Sequence, residues 1–74
     1  MKTRYARVRE TIILRGCKFP AGTLVNVWDT GNTTQIQPAH ASHNALWYAL
    51  PVKFISKIVF LNDIECSLID FGLL

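Results

Sequence analysis

RYARVRETIILR, residues 4–15, decides the fold, because its apolar positions recur with a period of two and not of 3.6. Val8, Thr11, Ile12 and Ile13 are β-branched and Tyr5 is aromatic, side chains that suit a pleated, half-buried surface. One face carries Ala6, Val8, Ile12 and Leu14, interrupted at Glu10; the other carries Tyr5, Arg7, Arg9, Thr11, Ile13 and Arg15. The spacing predicts a β-strand with a bulge or a change of face near Glu10 and Thr11, where the alternation slips.

Working outward, Gly16 ends that strand, and residues 17–22 carry the turn formers Pro20 and Gly22. Residues 23–28, TLVNVW, predict a second strand. Residues 29–32, DTGN, form a turn, and residues 33–37 a short strand stopped by Pro38, which cannot donate to a ladder. Residues 38–44 are loop. Residues 45–50 predict a strand with Leu46, Tyr48 and Leu50 on one face and Ala45, Trp47 and Ala49 on the other.

After Pro51, the stretch VKFISKIVFLN fits two periods: Val52, Ile55 and Val59 a helical stripe, Phe54, Ile58 and Phe60 a strand. The preferred reading is a turn over residues 51–53 and a strand over 57–61. Ile64, Leu68 and Phe71 recur at helical spacing behind Asn62 or Asp63 as a cap, so residues 62–74 form either a short helix or a flexible tail. The expectation is one small, mostly β domain over residues 1–61: an antiparallel twisted sheet or partly open barrel with at most one short helix. Ala6, Val8, Val25, Val27, Tyr48 and Leu50 supply the core, and Trp28 packs near them.

Half of the 74 residues are apolar and 18% charged, the composition of a chain that buries a core and not of a disordered one. At this size net stability is about 5 kcal/mol. Cys17 and Cys66 stand far apart behind a charged N-terminus unlike a secretory leader, so a reduced, cytoplasmic setting is expected. The longest apolar run, around residues 58–61, falls far short of the ~20 residues that span a bilayer.

Charge is distributed end to end. Residues 1–57 hold all eight Lys and Arg against Glu10 and Asp29, a net +6; residues 58–74 hold Asp63, Glu65 and Asp70 and no base, a net −3. Such polarity points to a steered encounter with an acidic partner, nucleic acid or an acidic protein surface. The candidate contacts are Lys2, Arg4, Arg7, Arg9, Arg15 and Lys18, since a guanidinium fork donates bidentately to phosphate or carboxylate. The competing reading is a solvated strand edge whose charges only block aggregation.

Trp28, Trp47 and Tyr48 could stack on bases, but aromatics in so small a domain are first of all core, and only Trp47, between two alanines, reads as a contact residue. His40, His43, Cys17 and Cys66 match zinc ligands by type but lack the close doublets of zinc modules, so no metal or cofactor is expected. Ser42 beside two histidines, and Asp63 with Glu65, do not assemble a catalytic pattern, and no glycine-rich phosphate loop is present, so the chain does not read as an enzyme.

The stretch FPAGTLVNVW, residues 19–28, resembles the turn-to-strand step of SH3-like small barrels. In length, in its arginine-rich start MKTRYARVR and in its β pattern, the whole chain resembles the very small bacteriophage proteins that seize host machinery, most of all the short phage transcription regulator that binds bacterial RNA polymerase. That resemblance implies a protein of the bacterial host's cytoplasm that docks on the large polymerase subunits, and a monomer is expected. It implies blocked initiation through displacement of the sigma factor, read-through of terminators, and contacts at Arg4, Arg7 and Arg9. Two rivals remain: a small nucleic-acid-binding barrel on which Trp47 stacks, and an inhibitor of a bacterial defence nuclease. A net charge of only +3 and the acidic end favour a protein partner.

Overall fold

A computed structural model describes residues 4–41 and 45–73. In chain order the elements are β1 (Arg4–Val8), β2 (Ile12–Leu14), β3 (Cys17–Phe19), β4 (Leu24–Asp29), β5 (Thr34–Pro38), β6 (Tyr48–Ala49), a 3-10 helix (Val52–Lys57), β7 (Ile58–Phe60) and α1 (Asp63–Asp70). Five strands pair antiparallel in the order β6-β5-β4-β1-β7, and β2 with β3 forms a separate hairpin. The protein is thus mostly β with one short α-helix, and the sheet stays open instead of closing into a barrel.

The stretch that decides the fold is two strands, not one strand with a bulge. After Val8 the chain leaves the sheet: the Arg9 N–H donates to the Lys57 carbonyl at 2.6 Å, and β2 pairs only with β3. Folding over at Arg9 to Thr11 lets Ile12 and Leu14 face the same interior as Ala6 and Val8. All four are buried, which accounts for the slipped alternation at Glu10.

Residues 17–19 are strand and not turn. The reversal occurs one step earlier, at Arg15 and Gly16, with φ of 50° and 81° between the paired residues Leu14 and Cys17. Two successive left-handed residues make the two-residue hairpin whose twist matches its strands. Gly16 takes that conformation freely, whereas Arg15 does so at a cost of about 1 kcal/mol.

The hairpin lays Ile12, Leu14 and Phe19 over the inner face of the sheet, where Ala6, Val8, Val25, Val27, Ile36, Leu50 and Ile58 complete one cluster. Tyr48 joins it half-buried, its ring edge-on to Phe19 at 5.6 Å between centroids. Trp28 does not. It alternates with Val27, so it lies half-buried on the outer face against Trp47, ring centroids 5.7 Å apart. The strand expected over residues 45–50 shrinks to Tyr48–Ala49, and Leu46 is exposed.

Between Pro51 and Leu61 both periods are realised in succession. Residues 52–57 take the helical one, as a 3-10 helix that buries no residue, and 58–60 the strand. The expected turn over 51–53 and strand from 57 are corrected accordingly: Phe54 and Ile55 pack on the core from the 3-10 helix. The C-terminal segment is helix, set by a reciprocal cap in which the Glu65 N–H donates to Asn62 Oδ1 at 2.8 Å and the Asn62 N–H to Glu65 Oε1 at 3.2 Å. No described helix is long and apolar enough to cross a membrane.

Candidate docking surface

The cations that crowd the first eighteen residues separate in space. Lys2 lies outside the described residues. Arg4 opens β1 with its guanidinium carbon 5.0 Å from the Phe60 ring centroid. Arg7 stands on the outer face and donates from Nη1 to the Gly22 carbonyl at 3.1 Å. Arg15 and Lys18 ride the hairpin, Lys18 directly across from Ile13. Trp47 sits against Trp28, half-buried. Pairing β1 with β4 and β7 but not with β2 is what divides them.

The backbone of Arg9 meets a segment whose cations the linear pattern did not single out. Its backbone bond to Lys57 brings it to the end of the 3-10 helix, where Lys53 Nζ and Lys57 Nζ stand 5.2 and 5.1 Å from the centroid of one ring, Phe54. Phe54 packs on the hydrophobic cluster, so a core-anchored aromatic presents its π-electrons to two ammonium groups. Each such contact is worth about 0.5–1 kcal/mol at an exposed site, enough to gather two like charges that would otherwise drift apart. Lys53 and Lys57 lie too far along the chain from Arg9 for spacing to reveal the group; only the return of β7 alongside β1 creates it.

Three of the five carboxylates are engaged with neutral donors. Asp29 Oδ1 accepts the Gly31 N–H at 2.8 Å, Glu65 accepts the Asn62 N–H, and Asp70 Oδ1 accepts the Tyr5 hydroxyl at 2.7 Å. This last bond ties α1 to β1 and pushes the Tyr5 pKa above its usual value, with burial and the Asp70 charge adding to it. The phenol must keep its proton to donate. Because the folded pKa exceeds the unfolded one, the contribution to stability is complete below about pH 10 and disappears as pH rises through the raised value. Docking of α1 is therefore expected to loosen in alkali, and Tyr5→Phe to remove that step, as read by hydrogen exchange of the α1 amides against pH.

Cys17 and Cys66 are free thiols, half-buried. Tyr48 has its pKa raised by a hydrogen bond with Cys17 first and by that thiol's charge and burial next, so this pair belongs to the packing of the hairpin. Among the described residues no three His, Cys, Asp or Glu side chains converge as a metal site; His43 lies outside them. An open cleft of about 390 Å³ runs between the β4–β5 turn and residues 49–55, floored by Ala49, Leu50 and Ile55. Its one charged side chain, Asp29, already accepts the Gly31 N–H, so the cleft offers shape without a pair of titratable groups.

No family model, curated protein or solved structure matches this chain.

Proposed function

We propose that this chain is a non-enzymatic docking protein, a phage-type regulator that seats on an acidic surface of bacterial RNA polymerase with Arg9, Lys53 and Lys57 at the centre of the contact. The observation that carries this reading is the pair of ammonium groups within 5.2 Å of a single core-anchored ring, with Arg9 hydrogen-bonded alongside. Cations held in place before binding lose little conformational freedom on binding, and arginine can grip a carboxylate bidentately. Complementary charge steers the encounter and sets its register, so occupancy alone can displace or reposition another factor with no bond broken.

The charge polarity of the sequence supports the same reading, and Arg7 extends the cationic surface across the outer face of β1. The five-strand antiparallel sheet is a small β scaffold of the kind this reading needs. The FPAGTLVNVW step runs from the end of β3 through Gly22 into β4. The bacterial cytoplasm and the effects on initiation and termination follow from the resemblance and belong to this proposal.

The test is capture from bacterial lysate with the full chain immobilised, with and without nuclease. Retention of the large polymerase subunits after nuclease treatment is expected. Loss of all retention on nuclease treatment would transfer the cations to phosphate binding, and retention of a defence nuclease in place of polymerase would move the target; either result overturns the reading.

A further inference from the structure

We propose that the protein partner enters along the outer edge of β7, where an extended acidic segment adds to the sheet as a further strand beside Ile58–Phe60. This rests on the docking function above and names the chemistry and conformation of what is docked.

The ladder between β1 and β7 fixes which backbone groups look outward. The Leu61 N–H donates to the Tyr5 carbonyl at 3.0 Å and the Arg9 N–H to the Lys57 carbonyl at 2.6 Å, with Arg7 opposite Val59 between them. Bonded and non-bonded pairs alternate along an antiparallel ladder, so Lys57, Val59 and Leu61 turn their amides toward β1, and Ile58 and Phe60 turn theirs away. The Ile58 N–H is taken by the Ile55 carbonyl. That leaves the Ile58 carbonyl and both backbone groups of Phe60 facing outward. Among the described residues β7 ends the sheet, and Val59 and Phe60 are 49% and 40% exposed, so an extended chain can lie alongside. The opposite edge differs: β6 has two residues, and Pro51 soon follows with no N–H to give.

Charge selects the occupant. Residues 4–9 and 51–62, which build this edge, hold Arg4, Arg7, Arg9, Lys53 and Lys57 and no acid. A segment carrying carboxylates is drawn here, and a basic one is repelled. Lysine beside an edge strand guards against indiscriminate pairing, and at this edge it reserves admission for segments of opposite charge. Asp63 and Glu65 begin only beyond Asn62, so the partner's carboxylates belong at the Ile58 end, beside Lys57. In an antiparallel addition, the sense of every other pairing in this sheet, that is the C-terminal end of the segment. Main-chain bonds then hold the strand, while its alternate side chains lie beside Val59 on one face and Phe60 on the other.

Amide hydrogen exchange of the full chain tests this. Without a partner, the Val59 and Leu61 amides should exchange slowly and that of Phe60 quickly. The probe is a short peptide in which alternating Val and Thr run into a C-terminal run of Glu. It should slow exchange at Phe60 by about tenfold or more, and the same peptide with Lys in place of Glu should not. Phe60→Pro removes an N–H that the ladder does not use, a change edge strands accept, and should weaken the peptide by about tenfold. Phe60→Leu keeps the N–H and should bind within about threefold of the parent.

Unchanged Phe60 exchange at saturating peptide, equal protection by the Lys peptide, or undiminished peptide binding by a folded Phe60→Pro variant would each overturn the proposal. So would Phe60 protection that grows with protein concentration alone, which would assign the edge to a second copy of the chain. The two readings fail separately. Retention of polymerase by Phe60→Pro but not by the chain lacking Arg9, Lys53 and Lys57 would remove strand addition and keep the polymerase reading; protection by the peptide with no polymerase retained would do the reverse.

Discussion

Phe19→Ala unfolds the chain at growth temperature: that is the expected result of removing the largest fully buried side chain. A buried Phe→Ala change costs about 3–5 kcal/mol in lost transfer energy and residual cavity, against a total stability of about 5 kcal/mol for a domain this small. Few neighbours can move in to fill the gap. Phe19 ends β3, pairs with Ile12, and meets Tyr48 edge-on, so it joins the hairpin, the inner face of the sheet and β6 at one point. At roughly 4–8 °C of melting temperature per kcal/mol for this size, a shift larger than about 12 °C is expected by circular dichroism. Ile13→Ala, on the exposed side of the same hairpin, serves as the comparison and should stay within about 0.5 kcal/mol of the parent. A cooperative melt of the Phe19 variant within a few degrees of the parent would mean that the hairpin is an ornament on the sheet and not its lid.

Phe19 was not among the core residues expected from the sequence, and the reason is local. Arginine followed by glycine is not one of the residue pairs that announce a two-residue hairpin, so the sequence does not mark the reversal at Arg15 and Gly16, and Pro20 and Gly22 make the strand before them look like turn. The parity of residues 6, 8, 12 and 14 was legible nonetheless, because side-chain alternation survives even where the chain changes sheets. The same parity explains Trp28. Size argued for the interior, but its register beside Val27 put it outside, and register wins because a one-residue step reverses every side chain of a strand. In residues 52–60 two periods overlapped, and the chain used both in turn, a 3-10 helix and then a strand. For residues 62–74 the sequence left helix and tail both open, with Asn62 or Asp63 as cap; the reciprocal bonds between Asn62 and Glu65 select the helix and place the cap at Asn62.

The candidate site was less legible than the fold for one physical reason: a run of charges along the chain is a cluster in space only if the run stays in one element. Here β1 ends at Val8, and the arginine that follows Arg9, six residues on, sits in the hairpin turn at Arg15. Proximity to Arg9 is conferred by Lys57, through a backbone bond that no side-chain pattern encodes.

That difference yields the second large effect. Replacing Arg9, Lys53 and Lys57 together with Ala should abolish retention of polymerase, whereas replacing Arg4 alone should weaken it only slightly. Truncating one member of a desolvated charge pair costs about 2–5 kcal/mol, a loss of thirtyfold or more for each central contact, whereas a rim charge mainly slows association. Arg7 already donates to the Gly22 carbonyl, and Arg4 is one cation over the Phe60 ring, whereas Lys53 and Lys57 share the single ring of Phe54 and present two charges together. Phe54→Leu separates grouping from charge: it keeps an apolar body on the core, leaves all three cations in place and frees both ammonium groups. A loss of about five- to thirtyfold is expected, matching about 0.5–1 kcal/mol for each of the two cation–π contacts removed. Circular dichroism of each variant should superimpose on the parent, since Arg9 and Lys53 are exposed and Lys57 is only half-buried. If the triple variant retained polymerase as well as the parent while an Arg4, Arg7 pair did not, the contact would lie along β1 itself, and the grouping around Phe54 would be packing without a partner.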